Sequence, residues 1–128
     1  MTRRLTKCKG HTNREMNNAT YLLRRAVMTY IYEAKHLLGG NMPRVSVRIT
    51  DAHDSNVLGE AYMRGNSIFI PANTVVRPDL RVIVFHELCH AVFGTEHVSE
   101  CLLMSPTVKK ISHDDTTRLF LKYANVLT

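Results

Sequence analysis

Two histidines and a glutamate lie within five residues of one another in the sequence His86-Glu87-Leu88-Cys89-His90. On a helix, residues four apart lie one turn apart on the same face, so both imidazoles could bind one tetrahedral metal ion. Zinc is the ion best suited to nitrogen ligands of this kind. Glu87 would lie beside the ion, where its carboxylate could take a proton from a metal-activated water molecule and pass it to the leaving amine of a peptide. The pattern predicts a hydrolytic zinc site with His86 and His90 as ligands and Glu87 as general base.

The segment 80–93 that carries these residues is apolar almost all the way round. Pro78 lies just before it and Gly94 directly after it, which predicts a helix that runs through the interior of the protein. The two histidines and the glutamate are then the only polar interior cluster of this helix. An alternative is that hydrogen bonds satisfy two core histidines while the glutamate surfaces at the helix edge. That alternative leaves more polar burial to explain, so we favour the metal site.

A catalytic zinc site needs a third protein ligand and an open fourth position. His97 is the natural candidate, because Gly94 lets the chain turn sharply after the helix and an imidazole three residues later can swing back to the metal. Glu96 is an alternative third ligand, since zinc also binds carboxylates, and Glu100 is a more remote one.

A long amphipathic helix is predicted near the start of the chain. Thr12 and Glu15 have the spacing of a capping box, and apolar residues recur with helical spacing up to Leu38, where Gly39-Gly40 ends the pattern. The opposite face of this helix is basic. Its basic residues are Arg24, Arg25, Lys35 and His36.

Three short strands are predicted between this helix and the apolar segment. Residues 44–49 alternate polar and apolar side chains, as a half-buried strand does. Residues 58–63 and 67–70 are two further strands joined through Arg64-Gly65-Asn66, whose glycine favours a hairpin. The three strands predict a small mixed sheet.

A final helix is predicted after Ser112, which is followed three residues later by Asp115 in a capping pattern. Asp114 and Asp115 are expected to cap this helix and to anchor it to the neighbouring chain. The elements together predict an α+β fold: a long N-terminal helix, a small sheet, a buried helix, a loop and a C-terminal helix. The length suits one domain over residues 1–128, with residues 1–11 as a loosely ordered basic arm.

The zinc segment resembles the metzincin clan of zinc endopeptidases, and the matrixin type most of all. That clan carries H-E-x-x-H-x-x-G-x-x-H and then a Met-turn, while this chain reads HELCHAVFGTEH and then VSECLLMSP. The later sequence ISHDDTTRLFLKYA is similar to the matrixin C-terminal helix, and the resemblance extends over about residues 58–124. It implies a zincin-like fold with three or four strands in its sheet, one catalytic Zn²⁺ and peptide hydrolysis. It also implies that Met104 lies in a Met-turn, as a hydrophobic floor beneath the metal.

The resemblance further implies that the second predicted strand aligns an extended peptide antiparallel over the zinc, by β-augmentation. The implied substrate-binding residues are Leu58, Gly59, Glu60, Ala61 and Tyr62. A plain hairpin that binds no ligand is an equal alternative at this strand.

The spacing departs from the clan at one point. Gly94 and His97 both come one residue later than the clan pattern, whereas Met104 keeps the clan distance from His86. A strictly ungapped comparison puts Glu96 at the third ligand. We prefer His97, because Gly94 is shifted together with it.

The charge of the chain is unevenly distributed. The 128 residues carry a formal net charge of +6. Residues 1–50 hold ten Lys/Arg against Glu15 and Glu33, a balance of +8, and residues 51–128 hold seven against nine, a balance of −2. Such asymmetry indicates either a nucleic-acid partner or the solvated face of one basic helix.

The sequence contains no apolar stretch long enough to span a bilayer, no secretory signal, and no paired cysteine spacing. We therefore expect a cytoplasmic protein with a protein or peptide substrate and no membrane partner. The small size, the basic N-terminus and the missing propeptide are typical of a microbial or viral protein. Two alternatives to a plain zinc endopeptidase remain at this point: a nucleic-acid-associated zinc protease that uses residues 1–50, and a non-catalytic zinc-stabilised protein-binding module.

Overall fold

The computed structural model describes residues 13–51 and 57–126. The arm predicted for residues 1–11 and the capping residue Thr12 lie outside the described residues. The described elements follow one another in the order α1 (Asn13–Leu37), β1 (Ser46–Thr50), β2 (Glu60–Tyr62), β3 (Ser67–Pro71), α2 (Ala72–Val75), α3 (Leu80–Leu88), a π-helical turn (Cys89–Phe93) and α4 (His113–Val126). In the described part of the chain, no helix is both long and apolar enough to cross a membrane.

Helix α1 ends where the sequence predicted. Gly39 and Gly40 adopt the left-handed conformation, with φ of 65° and 84°. Their amides donate to the carbonyls of His36 and Lys35, at 3.0 and 2.9 Å. The two glycines thereby satisfy carbonyls that have no partner inside the helix, and they turn the chain toward the sheet.

The described strands form one mixed sheet in the order β1-β3-β2. Strand β3 lies in the centre, parallel to β1 and antiparallel to β2, with Val47 opposite Ile68 and Glu60 opposite Phe69. The predicted hairpin between β2 and β3 is confirmed. Because β3 lies between the other two strands, β2 is an edge strand of the described sheet. It lies close to α3, on the side that carries Glu87.

Helices α1, α3 and α4 enclose the core together with the inner face of the sheet. Val27 and Ile31 of α1, Ile68 of β3 and Phe85 of α3 are all buried in one hydrophobic cluster. The rings of Phe85 and Phe120 stack with their centroids 4.7 Å apart, which joins α3 to α4. The α+β class is confirmed, with three strands among the described residues.

Arg81 is the centre of a second buried polar cluster on α3, which the sequence did not predict. Its guanidinium donates two hydrogen bonds to the Glu33 carboxylate of α1, at 3.0 and 2.7 Å. It also donates to the His113 carbonyl at 3.1 Å and to the Thr117 hydroxyl at 2.6 Å. The expectation that the only polar interior cluster of this helix is the histidine and glutamate group was therefore wrong.

The same contacts replace the predicted anchor of the last helix. Ser112 does cap α4, since its hydroxyl accepts the Asp115 amide at 3.0 Å. Asp115 pairs with Arg118 of its own helix, and the exposed Asp114 lies 3.8 Å from His113. Within the described residues neither aspartate reaches a neighbouring element, so their predicted anchoring role was wrong. Arg81 performs it from α3.

The Arg81–Glu33 pair gives a testable prediction. Replacing Glu33 with Gln should lower the free energy of unfolding by about 1–3 kcal/mol, because a largely buried guanidinium then lacks its counter-charge. Asp79→Asn is the matched control, since it removes the more exposed Arg77–Asp79 pair and should cost less than about 1 kcal/mol. Urea unfolding at neutral pH measures both values, and equal losses would contradict the role given to Arg81.

Acid should weaken the same pair. The Arg81 hydrogen bonds hold the pKa of Glu33 below its usual 4.5. A carboxyl with a lowered pKa stabilises the fold above its unfolded-state pKa, and that stabilisation is lost as the pH falls through the lowered value. Between about pH 6 and about pH 3, the parent protein should therefore lose more stability than Glu33→Gln.

Candidate metal centre

Three histidines of the segment 86–97 come together at the end of α3. His86 is on α3, His90 is on the π-helical turn, and His97 is on the loop that follows. One ring nitrogen from each lies within 4.8 Å of the others. Ring centroids are 4.7 Å apart for His86 and His90, and 4.8 Å apart for His90 and His97. In the described part of the chain, this cluster is the group of side chains that could hold a metal ion.

The Nδ1 atoms of His86 and His90 are hydrogen-bonded to backbone carbonyls. His86 Nδ1 lies 2.7 Å from the Leu103 carbonyl oxygen, and His90 Nδ1 contacts the Thr95 carbonyl oxygen. A carbonyl only accepts, so each Nδ1 carries a proton and donates it. In a neutral ring the Nε2 atom then presents a lone pair, which is the form that binds a metal.

These two lone pairs face each other. The Nε2 atoms of His86 and His90 are 3.1 Å apart. Two acceptors at that distance repel unless a proton or a cation lies between them. Zinc–nitrogen bonds of about 2.0–2.1 Å in a tetrahedral site place two nitrogens roughly 3.3 Å apart, close to the observed separation. The His86–His90 pair therefore has the separation that one metal ion bound to both nitrogens requires, and the ring nitrogen of His97 lies within 4.8 Å of them.

Burial keeps both rings neutral. It lowers the pKa of His86 to about 4; the hydrogen bond to the Leu103 carbonyl opposes this shift, and the neighbouring His90 and His97 add to it. Burial is also the main cause that lowers the pKa of His90. At neutral pH both imidazoles are therefore unprotonated at Nε2, so a metal would displace no proton from these two rings.

The π-helical turn explains how His97 reaches the cluster. A π turn contains one residue more than an α turn. This number equals the one-residue shift of Gly94 and His97 relative to the pattern H-E-x-x-H-x-x-G-x-x-H. Gly94 ends the turn with φ of 69°, and Thr95 donates its amide to the Cys89 carbonyl at 3.0 Å. The extra residue is taken up within the helix backbone.

Of the candidate third ligands, the structure brings His97 to the other two histidines. Glu96 is exposed and lines the neighbouring cavity without joining the cluster, and Glu100 is exposed.

The hairpin turn supports the π-helical turn from the side. The Arg64 amide donates to the His90 carbonyl at 3.0 Å, and the Asn66 amide donates to the Ala91 carbonyl at 3.1 Å. Both donors have positive φ, 55° and 54°. The Arg64 side chain lies across Gly94, so closely that a Cβ on that glycine would be 2.6 Å from Arg64 Nε. The sequence predicted this hairpin, but no sequence pattern indicated that its turn would hold the end of the helix.

Glu87 is the buried acid of the site, with 6% of its surface exposed. Its carboxylate packs against Gly59, where a Cβ would come within 2.9 Å of Glu87 Oε2. Burial raises the pKa of Glu87 to about 8, and the Glu60 carboxylate adds to the rise. In the described part of the chain no residue hydrogen-bonds to this carboxylate, which opens on a cavity and is free to hold or release a proton there.

That cavity has a volume of about 760 Å³ and connects the histidines to the edge strand β2. Four of the five predicted substrate-binding residues line it, namely Leu58, Gly59, Glu60 and Ala61. Tyr62 is not among its lining residues in the described ranges. Its ring packs edge to face on Phe69, with centroids 5.2 Å apart. Strand β2, whose outer edge is unpaired in the described part of the sheet, contributes Glu60 and Ala61 to the lining of the cavity.

Met104 lies in a turn that helps to hold the cluster. Residues 102–104 form the turn, and Met104 is fully buried. The Val98 amide donates to the Met104 carbonyl at 2.9 Å, which ties the turn to the residue after His97. The turn also supplies the Leu103 carbonyl that orients His86. Cys89 is buried nearby, and burial raises the pKa of its thiol well above the usual range, so it is a core residue.

No protein-family model matches this chain, and comparisons with curated proteins and with solved structures find nothing similar to it. The chemistry of the site is therefore argued from the geometry of its own residues.

His97 gives the first prediction for the site. His97→Ala should weaken zinc binding by more than about 100-fold, since loss of even an outer-shell partner of a metal site costs 10–100-fold. Glu96→Ala, one residue away and equally exposed, should change it less than about threefold. Competition with a chromophoric chelator measures both affinities. Loss of zinc in the Glu96 variant with retention in the His97 variant would reverse the assignment.

Gly94 gives the second prediction. Gly94→Ala should lower the free energy of unfolding for two reasons: alanine is strained at a positive φ, and its Cβ would collide with Arg64. The variant should also bind zinc more weakly, because His97 would move. Gly39→Ala is the matched control, because Gly39 has φ of 65° but nothing within 4 Å of a Cβ. The control should lose only about 1 kcal/mol, with unchanged zinc affinity. Equal effects of the two variants would contradict a role for the Arg64 contact.

Proposed function

We propose that this protein is a zinc-dependent endopeptidase. The observation that carries the proposal is the arrangement of three convergent histidines and the buried carboxylate of Glu87 on the wall of one open cavity. Metal ligands, a proton carrier and space for a polymer beside an edge strand are what peptide hydrolysis at a metal centre requires.

The metal would contribute one kind of chemistry. A zinc ion held by His86, His90 and His97 would supply Lewis acidity at an open coordination position, which polarises a peptide carbonyl and makes a water molecule more acidic. Nitrogen donors favour zinc over the harder magnesium and calcium ions, which prefer oxygen ligands.

Glu87 would handle the proton. It follows His86 directly in the chain, and its carboxylate opens on the same cavity as the histidines. A cation held by the histidines would favour the ionised form of Glu87 over the acid form that burial favours. The carboxylate can then accept a proton from the attacking water and deliver it to the amine that leaves. Gly59 leaves room for this carboxylate, because Glu87 Oε2 occupies the space that a Cβ at position 59 would fill.

Strand β2 would position the substrate. Its outer edge is unpaired in the described part of the sheet, so its amides and carbonyls can form a ladder with an extended peptide. The cavity lining also includes apolar surface from Val82, Leu103 and Val108. Backbone pairing and side-chain burial would together hold the scissile bond near the histidines.

A non-catalytic zinc-stabilised module is less well supported. A structural zinc site is closed by four protein ligands. The cluster has three members among the described residues, and it faces a cavity of about 760 Å³. This arrangement favours a catalytic centre over a purely structural one.

Glu87→Gln tests the mechanism. The variant should lose peptide cleavage by at least about 100-fold, because an amide cannot carry the proton, while it keeps one zinc per chain. Incubation with a mixture of unstructured peptides, followed by mass spectrometry, measures cleavage, and elemental analysis measures zinc. Glu100→Gln is the matched control, because this exposed glutamate neither lines the cavity nor joins the histidine cluster, and it should change the rate less than about threefold. A Glu87→Gln variant that cleaves as fast as the parent would refute the proposed mechanism.

A further inference from the structure

Helix α1 presents a stripe of alternating aromatic and basic side chains to solvent. Successive residues of an α-helix are rotated by about 100°. Measured from Tyr21, this rotation places the exposed residues of the stripe within an arc of about 120°. They are Tyr21, Arg24, Arg25, Tyr32, Lys35 and His36. We call them the α1 stripe.

The tyrosines of the stripe are unusually open. Tyr21 and Tyr32 expose 60% and 64% of their surfaces. Large aromatic side chains this exposed contribute little to the core, so their apolar rings are available to a ligand. Tyr21 and Tyr32 are eleven positions apart, which corresponds to about three helical turns, or roughly 16 Å along the axis.

Between residues 20 and 50, the surface around the stripe carries several exposed cations and no exposed carboxylate. Residues 20–50, all of which the structure describes, contain one carboxylate, that of Glu33. It is turned toward α3 and paired with Arg81. The same range contains the basic residues Arg24, Arg25, Lys35, Arg44 and Arg48, all of them exposed. Arg24 Nε donates to the Val47 carbonyl of β1 at 3.3 Å, which places the strand and its Arg48 beside the stripe.

We propose that the α1 stripe binds single-stranded nucleic acid. Cationic side chains neutralise backbone phosphates, and exposed aromatic rings stack on unpaired bases whatever their sequence. An acidic protein surface would use the cations but not the two open tyrosine rings. A duplex would hide the faces of its bases from them.

This surface is separate from the candidate metal centre. The described residues that line the cavity beside the histidines come from 57–63 and 82–109, and none is on α1. The proposal therefore does not depend on the proposed function, and binding can be measured without any cleavage. If both hold, the stripe would bring the protease to proteins that are bound to nucleic acid.

The test is fluorescence anisotropy of the full chain with a labelled single-stranded DNA 20-mer of mixed sequence, over a series of salt concentrations. Arg25→Ala with Lys35→Ala should weaken binding and reduce the slope of log affinity against log salt by about 1.4, since each phosphate contact in a single strand contributes about 0.7. Tyr21→Ser with Tyr32→Ser should weaken binding by on the order of tenfold per tyrosine and leave that slope unchanged.

Lys109→Ala with Lys110→Ala is the matched control. It removes the same charge from exposed positions near the cavity, and it should change the affinity less than about threefold. The expected pattern is loss in both stripe variants and retention in the control.

Four results would overturn the proposal. They are no binding at low salt, equal losses in the control and in the basic stripe variant, duplex DNA bound as tightly as the single strand, and displacement of the DNA by polyglutamate at equal charge. The first removes the surface as a binding site, the second reduces it to net charge, and the last two point to a different partner.

Discussion

The site depends on burying two neutral imidazoles so that their unprotonated nitrogens face each other. The Nδ1–H group of each ring donates a hydrogen bond to a backbone carbonyl, that of Leu103 for His86 and that of Thr95 for His90. Burial disfavours protonation of the second ring nitrogen. Without a cation, the 3.1 Å approach of the two Nε2 atoms is repulsive. The rest of the molecule must therefore be rigid enough to hold this arrangement, and its core is built around α3.

Three groups of contacts provide that rigidity. Arg81 joins α3 to α1 and α4 through charge-assisted hydrogen bonds, and Phe85 packs on Phe120 below it. The turn before Ser105 carries the carbonyl that orients His86. The hairpin of the sheet supports the far end of the helix through amides at Arg64 and Asn66. His86 and His90 are therefore held from several sides, while Glu87 opens on the cavity beside them.

The sequence predicted the local elements well, because hydrophobic period, capping residues and glycines are local signals. The end of α1 at Gly39-Gly40, the hairpin and the cap of α4 at Ser112 all followed from such signals. The pairing of Arg81 with Glu33 spans 48 positions in the chain, and no periodicity encodes a contact of that kind. The sequence also left His97 and Glu96 open as ligands. Which of the two side chains joins His86 and His90 depends on the backbone conformation after His90. The π-helical turn sets this conformation, and the residue types there do not indicate a π-helix.

The π-helical turn also limits how the chain can change in length. Its carbonyls at His90 and Ala91 accept the amides of the hairpin turn, so the helix end and the hairpin share one set of hydrogen bonds. Deleting Val92 or Phe93 would leave the carbonyls of His90 and Ala91 in place but would rotate Gly94 and the residues after it by about 100° relative to His90. Gly94 would then lose its contact with Arg64, and His97 would turn away from the other two histidines. The length of this turn is therefore constrained from two sides, by the hairpin and by the histidine cluster.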